Sequence, residues 1–140
     1  MECGILYYER KFKVWVFVFC MAREFKNLNV WIRGVKFCKV INDLVRGFPR
    51  IEDFALSSQI RRAVISVPSN IAEGCGRGTG KDLIRFLYMA LGSVNEVVTQ
   101  LYVAREFGYI DDDRLKELDK ELGEIGRMIV GFIGYAGTRK

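Results

Sequence analysis

Residues 57–87, SSQIRRAVISVPSNIAEGCGRGTGKDLIRFL, decide the fold of this chain. They hold the end of one apolar helical pattern, a corner with glycine at positions 74, 76, 78 and 80, and the start of a second helical pattern. The first pattern predicts a helix from about Glu52 to about Cys75. Pro68 lies inside this helix and predicts a kink near Val64–Val67, because its ring removes one backbone hydrogen bond. The apolar stripe of this predicted helix two consists of Leu56, Ile60, Ala63, Val67 and Ile71.

Predicted helix three follows the glycine corner and runs from Thr79 to about Phe107, with Thr79 and Asp82 as an N-terminal cap pair. Its main apolar stripe consists of Leu83, Leu87, Ala90, Val94, Val97, Leu101 and Ala104. A second stripe lies on a different face and consists of Ile84, Tyr88, Leu91, Val98 and Tyr102. A helix that is apolar on two faces cannot bury both within one four-helix monomer, so we expect the second stripe to form an oligomer interface. The alternative is that it only widens the monomer core.

Two further helices are predicted on either side of this centre, over about 26–47 and about 112–134. The apolar stripe of predicted helix one consists of Leu28, Trp31, Val35, Cys38, Asn42 and Val45. Gly47-Phe48-Pro49 ends that helix, and Asp111–Asp113 suit the positive end of helix four. Long helices joined by short loops predict an all-α protein with an up-down-up-down four-helix bundle over residues 21–140.

The first twenty residues have a different character from the rest of the chain. Their longest apolar run, Val14–Ala22, is nine residues long, which is far short of the ~20 that a membrane-spanning helix needs. Helical patterning becomes regular only after Met21. We therefore interpret residues 1–20 as an N-terminal extension and hypothesise that Met21 is the true translation start.

Basic residues are concentrated in the first half of the bundle. Residues 21–85 contain twelve Lys and Arg against six Asp and Glu, whereas residues 86–140 contain seven against nine. Such an asymmetry favours an anionic partner, above all nucleic acid. A solvated basic face explains the same pattern equally well.

The residue inventory argues against an enzyme. The chain contains no histidine, which removes the commonest general base and most zinc sites. Its four cysteines show neither metal-ligand spacing nor a disulfide framework, so we expect reduced thiols in a cytoplasmic protein, with no metal and no cofactor. A phosphate-binding P-loop needs glycine where Cys75 stands and Ser or Thr where Asp82 stands.

The glycine corner still offers a generic site for an anion. Backbone amides at the start of helix three would lie close to Arg77, Lys81 and Arg85. The alternative is a simple loop whose charges are solvated.

The central stretch also carries a family resemblance, spread over about residues 24–132. The motifs that carry it include Ser58-Gln59-Ile60, Ser66-Val67-Pro68, Asn70-Ile71-Ala72-Glu73-Gly74, Arg85-Phe86-Leu87, Gly92-Ser93, Glu96 and Gln100-Leu101. Together they resemble the four-helix-bundle protein family often encoded by intervening sequences inside bacterial large-subunit ribosomal RNA genes. The resemblance implies a four-helix bundle that assembles as a homopentamer around a central channel.

The chain is also similar to the accessory protein of diversity-generating retroelements, a basic pentamer that works with a reverse transcriptase and binds nucleic acid. The family has no established enzymatic activity, so the resemblance carries the fold further than the role.

Three sets of candidate functional residues follow. The nucleic-acid-binding set is Arg33, Lys36, Arg61, Arg62, Arg77, Lys81 and Arg85. A polar set on helix two, predicted as a hydrogen-bond network that fixes the register of helices or subunits, is Gln59, Ser66, Asn70 and Glu73. The predicted oligomer interface is the second stripe of helix three.

The first functional hypothesis is a non-enzymatic homo-oligomer that binds RNA or DNA through basic helix faces, largely independently of sequence. The second is a structural or protein-interaction scaffold with no nucleic-acid role, which uses the polar stripe and the basic faces for assembly or to dock an acidic partner protein. A reverse transcriptase or another protein is a further candidate partner.

Overall fold

A computed structural model describes residues 24–138, which form four α-helices and two short 3-10 turns. The helices are α1, Asn29–Val45; α2, Leu56–Gly76; α3, Gly80–Glu106; and α4, Asp112–Gly137. The 3-10 turns are Phe25–Asn27 and Arg50–Glu52. No β-strand occurs within residues 24–138, which confirms the all-α fold class. The predicted N-terminal extension and the hypothesised start at Met21 lie outside the described residues.

The four helices form an up-down-up-down bundle. Where two successive helices are in contact, residue numbers rise along one helix as they fall along the other, so the two helices are antiparallel. Each helix packs against the next, and α1 also contacts α4, which closes the bundle. The pairs that set the direction are Gly34 with Pro68 and Cys38 with Val64 for α1–α2, Ser66 with Ser93 and Gly74 with Phe86 for α2–α3, and Leu91 with Gly126 and Tyr102 with Asp119 for α3–α4.

The starts of α3 and α4 are capped by side chains, and the cap pair of Thr79 and Asp82 is the one that the sequence predicts. At the start of α3, the Thr79 hydroxyl accepts a hydrogen bond from the Asp82 backbone N–H at 3.1 Å and donates one to the Asp82 carboxylate at 2.7 Å. At the start of α4, Asp111 accepts from the backbone N–H of Arg114 at 2.7 Å. These bonds satisfy donors that have no partner inside a helix.

The buried face of α1 differs from the predicted stripe. The residues that α1 buries are Val30, Gly34, Phe37, Ile41 and Val45, whereas Val35, which was predicted to be buried, is 41% exposed. Trp31 and Cys38 lie at the margin of the core. The physical reason is the contact with α2. Gly34 packs on Pro68 so closely that a Cβ added at Gly34 would lie 3.6 Å from the Pro68 Cβ, and the face of α1 that contains Gly34 is therefore the buried one.

Helix α2 continues through Pro68, which is buried inside it. Proline has no N–H, so the carbonyl four residues earlier, that of Val64, loses its helical donor. The thiol of Cys38 on α1 donates to this carbonyl, with 3.4 Å between Sγ and O. Burial raises the pKa of Cys38 to about 11, so the thiol keeps the proton that it donates at neutral pH. A neighbouring helix thus replaces the hydrogen bond that the proline removes.

Helix α2 starts four residues later than predicted, at Leu56. Glu52 belongs to the preceding 3-10 turn and accepts a hydrogen bond from the Leu56 backbone N–H at 3.1 Å. Near its other end, Gly74 packs directly on α3. A Cβ at Gly74 would lie 2.8 Å from the Phe86 Cβ and 3.3 Å from the Leu83 carbonyl oxygen, so only glycine fits without a shift.

Candidate nucleic-acid interface

Three predicted cations meet at the α2–α3 corner, which we define as residues 73–86. The Arg77 guanidinium carbon lies 5.0 Å from the centre of the Phe86 ring, and that of Arg85 lies 5.6 Å from the same centre. Phe86 is itself buried, so it positions both guanidinium groups by cation–π attraction and leaves their outer edges at the surface. Lys81 is exposed one helical turn before Arg85. The corner therefore gathers three cations, two of which lie over one buried ring.

The local sequence explains why the α2–α3 corner is so tight. Only Arg77, Gly78 and Thr79 separate the last residue of α2 from the first of α3. Gly78 has a φ of 77°, a left-handed backbone conformation that favours glycine. Because Gly74 lets α2 approach α3 closely, Phe86 lies beside the end of α2, where Arg77 reaches its ring.

The cations of the corner differ in how free they are. Arg77 forms the ion pair with Glu73 that their spacing predicts, which offsets part of its charge. Lys81 and Arg85 have no carboxylate oxygen within 4.0 Å among residues 24–138. Lys81 and Arg85 are therefore the cations of the corner that remain available to a ligand.

Arg61 and Arg62 lie in the first half of α2. Arg62 is exposed and Arg61 is half-buried. Neither forms an ion pair with any residue in the described part of the chain. Adjacent helical residues point about 100° apart, so the two side chains present positive charge over a wide sector of the surface.

On α1, the two predicted cations differ sharply. Arg33 binds Glu121 of α4 through two hydrogen bonds, of 2.6 Å from Nε and 2.9 Å from Nη2. This guanidinium holds the pKa of the Glu121 carboxyl below its ordinary value, and the same bond raises the pKa of Arg33. Lys36 is exposed beside a groove that Arg33 and Glu121 also line, and it has no ion pair within residues 24–138. Arg33 is thus held in a structural contact that sequence reasoning missed, since its partner lies 88 positions away.

The four predicted polar residues of α2 do not form one network. The Ser66 hydroxyl lies 3.0 Å from that of Ser93 on α3 and donates to the Ala63 carbonyl at 3.1 Å. Asn70 donates to the Ser66 carbonyl within its own helix, at 2.9 Å. Gln59 is exposed at the edge of a cavity, and Glu73 pairs with Arg77. Of the four, only Ser66 links two helices. Its partner Ser93 is a buried polar residue that directly precedes Val94 of the main apolar stripe of α3.

The predicted oligomer stripe of α3 divides into two groups. Leu91 and Val98 pack at the margin of the monomer core, and Ile84 is half-buried. Tyr88 and Tyr102 remain 59% and 45% exposed, although the Tyr102 hydroxyl donates to Asp119 of α4 at 3.3 Å. In the monomer, the exposed part of the stripe is therefore its tyrosines.

A group of exposed apolar side chains near the start of α2 and the end of α3 was not predicted. Ile51 is 83% exposed, Phe54 is 99% exposed and Phe107 is 57% exposed. Ile51 directly precedes the predicted start of helix two and Phe54 lies in its first turn, where an apolar residue carries no periodic signal of its own.

The fold and the site define a class: a small antiparallel helical bundle whose surface cations are partly unpaired. Among the described helices, none combines the length and the hydrophobicity that a bilayer crossing requires.

The family model of the 23S rRNA-intervening sequence protein matches residues 26–131, and the chain belongs to this family. No curated protein matches the chain. Among solved structures, it is similar to a protein of unknown function from the S23 ribosomal protein family of Bacteroides thetaiotaomicron, with 25% identity and a TM-score of 0.69. That match covers 74% of this chain and 97% of the other, so the bundle accounts for nearly the whole of that structure.

Proposed function

We propose that this protein is a non-enzymatic, cytoplasmic homo-oligomer that binds RNA or DNA through basic helix faces, largely independently of sequence. The observation that carries the proposal is the distribution of unpaired charge. Of the seven cations in the predicted set, only Arg33 and Arg77 have a carboxylate partner among residues 24–138. The other five, Lys36, Arg61, Arg62, Lys81 and Arg85, are free to neutralise phosphates. The free thiols of Cys38 and Cys75 suit a reducing compartment.

The mechanism is phosphate neutralisation and counter-ion release. Each phosphate neutralised by Lys or Arg releases a condensed cation, so affinity falls as salt rises. The unpaired cations occupy α1, α2 and the start of α3. Contacts of this kind set position and affinity but read little sequence.

Assembly would multiply these contacts. A homopentamer would repeat each cation five times, and weak sites on one particle would then act together through avidity. The exposed tyrosines Tyr88 and Tyr102 support an interface on α3, because aromatic side chains are enriched where proteins associate. In light scattering, the pentamer would have five times the chain mass of 16.1 kDa.

The test is a titration of the full chain against fluorescently labelled structured RNA and duplex DNA at two salt concentrations. We expect binding that weakens steeply with salt. The double variants Arg61→Ala/Arg62→Ala and Lys81→Ala/Arg85→Ala should each weaken binding and reduce the slope of log K against log salt by about 1–2. The matched control is Lys116→Ala/Lys120→Ala, which removes two exposed, unpaired cations from α4.

Two results would reject the proposal, and a third would narrow its binding face. Absence of binding at low salt removes the nucleic-acid role altogether. An equal loss in the α4 control shows attraction to net charge without a defined face. Unchanged affinity in the Arg61/Arg62 variant excludes those two residues as contacts.

The alternative function is a structural or protein-interaction scaffold with no nucleic-acid role. The exposed apolar group of Ile51, Phe54 and Phe107 favours it, because large exposed apolar side chains in one region often mark protein contacts. Loss of the oligomer in the Arg61→Ala/Arg62→Ala variant, with nucleic-acid affinity unchanged, would support this alternative.

A further inference from the structure

Phe54 projects from the connection between α1 and α2, and its ring is left in water by the described part of the chain. The residue is 99% exposed, and Ile51 in the same connection is 83% exposed. Burying a phenylalanine ring removes about 150–250 Å² of surface from water, which is strongly favourable. Large apolar side chains exposed together in this way mark a contact with another molecule.

An open depression between the start of α2 and the last turns of α3 begins directly beside Phe54. The apolar part of its wall consists of Ala55, Leu56, Val103 and Phe107. Ala55 and Leu56 follow Phe54 in the chain, so one short stretch supplies both the projecting ring and one side of the depression. The same surface therefore carries an apolar projection and an apolar depression.

The exposed wall of the depression is held in position by an aromatic cluster. The Phe107 ring meets the Tyr109 ring edge to face, with 5.7 Å between their centres. Tyr109 in turn lies 5.2 Å from the buried ring of Phe48, and its hydroxyl donates to Glu52 at 2.8 Å. A partner that contacts Phe107 therefore meets a side chain that is already ordered, which lowers the entropic cost of association.

The charges beside the projection and beside the depression have opposite sign. Glu52 and Glu96 line the depression, and its lining within the described residues includes no lysine or arginine. Arg50 stands four residues before Phe54, is exposed, and has no carboxylate oxygen within 4.0 Å among residues 24–138. A molecule that places such a projection in this depression would bring a cation to the two carboxylates.

We propose that two copies of this chain pair through this surface, with Phe54 of each copy in the depression of the other. A contact with two-fold symmetry requires one surface that is complementary to itself, both in shape and in charge. The region around Phe54 meets this condition, whereas a different protein would use only one half of it. The contact involves neither the tyrosines of α3 nor the proposed cationic set, so it does not rest on the proposed function. It joins two single chains, or two pentamers where the proposed pentamer forms.

The test is light scattering of the full chain between about 10 μM and about 1 mM, a range that covers weak self-association. We expect the mass to double as concentration rises. Phe54→Ser should weaken this doubling at least about tenfold, because a central aromatic side chain carries much of the energy of a contact. The variant should fold normally, since Phe54 is almost fully exposed. The matched control is Ile65→Ser, which removes an apolar side chain that is 55% exposed in the middle of α2 and should leave the doubling unchanged.

A charge reversal tests the two-fold arrangement itself. Glu96→Arg places a cation where the Arg50 of the other copy would approach, and it should weaken the doubling about tenfold. Adding Arg50→Glu to this variant restores opposite charges across the contact and should recover most of the lost affinity. A double variant that pairs no better than Glu96→Arg alone would overturn the arrangement.

The outcomes separate this contact from the proposed pentamer. A mass that never doubles overturns the pairing and leaves the surface around Phe54 to a different protein, even if the pentamer forms. A mass that doubles from one chain to two supports the pairing and argues against the pentamer. Doubling that persists in Phe54→Ser, or that Ile65→Ser weakens equally, also overturns the proposal.

Discussion

The contact between α2 and α3 and the contact between α1 and α4, which we call the two seams, are built from different kinds of residue. At the α2–α3 seam, Gly74 brings backbone almost into contact with Phe86, and Ser66 meets Ser93 within hydrogen-bond distance. At the α1–α4 seam, the helices touch over a much smaller region, and the bidentate pair of Arg33 and Glu121 bridges a groove of about 500 Å³. Small residues let two helices approach each other closely, whereas long charged side chains connect helices that are further apart and leave space beside the ion pair. The proposed cations Arg77, Lys81 and Arg85 therefore lie at the end of the more closely packed seam.

The largest effect is expected at the α2–α3 seam. Gly74→Ala should destabilise the protein by about 1–3 kcal/mol, because the new Cβ would overlap Phe86 and meet a backbone oxygen that cannot move away easily. Urea unfolding followed by circular dichroism measures the loss. The control is Gly76→Ala, since a Cβ there meets nothing within 4 Å. Equal stability of the two variants would show that the seam is looser than described.

A smaller effect is expected at Cys38, where α1 meets α2 through a single bond to backbone. Cys38→Ala removes the donor to the Val64 carbonyl and should cost about 1 kcal/mol. Cys38→Ser keeps a donor at this position and should retain more stability than the alanine variant. Identical urea midpoints for the two variants would mean that the hydrogen bond contributes nothing.

The same thiol predicts a dependence on alkaline pH. Burial raises the pKa of Cys38 from 9.0 to about 11, and that of Cys75 likewise. The unfolded chain therefore loses these protons first, and the free energy of unfolding should fall as pH rises from about 9 to about 11. The variant Cys38→Ala has lost one of these two buried thiols, so its free energy of unfolding should fall less over this pH range.

The smallest effect is expected at the α1–α4 seam. Glu121→Gln should lower Tm by only about 2 °C, because the Glu121 side chain is 34% exposed and such pairs contribute little in water. Since Arg33 lowers the pKa of Glu121 in the folded state, the contribution is present above the ordinary glutamate pKa of 4.5 and is lost as pH falls below it. The variant and the parent should therefore converge in acid. A loss as large as that of Gly74→Ala would overturn the comparison of the two seams.

Features of the fold that depend on nearby residues could be predicted from sequence. The cap at Thr79 follows from its partner Asp82 three positions later, and six of the seven residues in the predicted main stripe of α3 are buried, whereas Leu83 is half-buried. The buried face of α1 could not be predicted, because it depends on the distant contact between Gly34 and Pro68. Apolar residues also occur on the adjacent face of α1, and periodicity alone therefore predicts that this adjacent face is buried.

The candidate site was predictable to the same limited extent. Composition indicates which residues carry charge, and the pairing of Arg77 with Glu73 follows from helical spacing. Composition does not indicate which charged side chains form ion pairs between helices. Arg33 is bound by a glutamate on the last helix, and the common ring beneath Arg77 and Arg85 depends on how closely α2 approaches α3.

The bond between Cys38 and Val64 has a consequence for how the molecule comes apart. A hairpin of α2 and α3 by itself would carry a carbonyl that Pro68 has deprived of its donor, so α2 is complete only when α1 is docked. Because of Pro68, the stability of the α2–α3 pair, which is the most extensive in the bundle, depends on a hydrogen bond from α1. It thereby favours cooperative unfolding of the bundle over the separate release of α1.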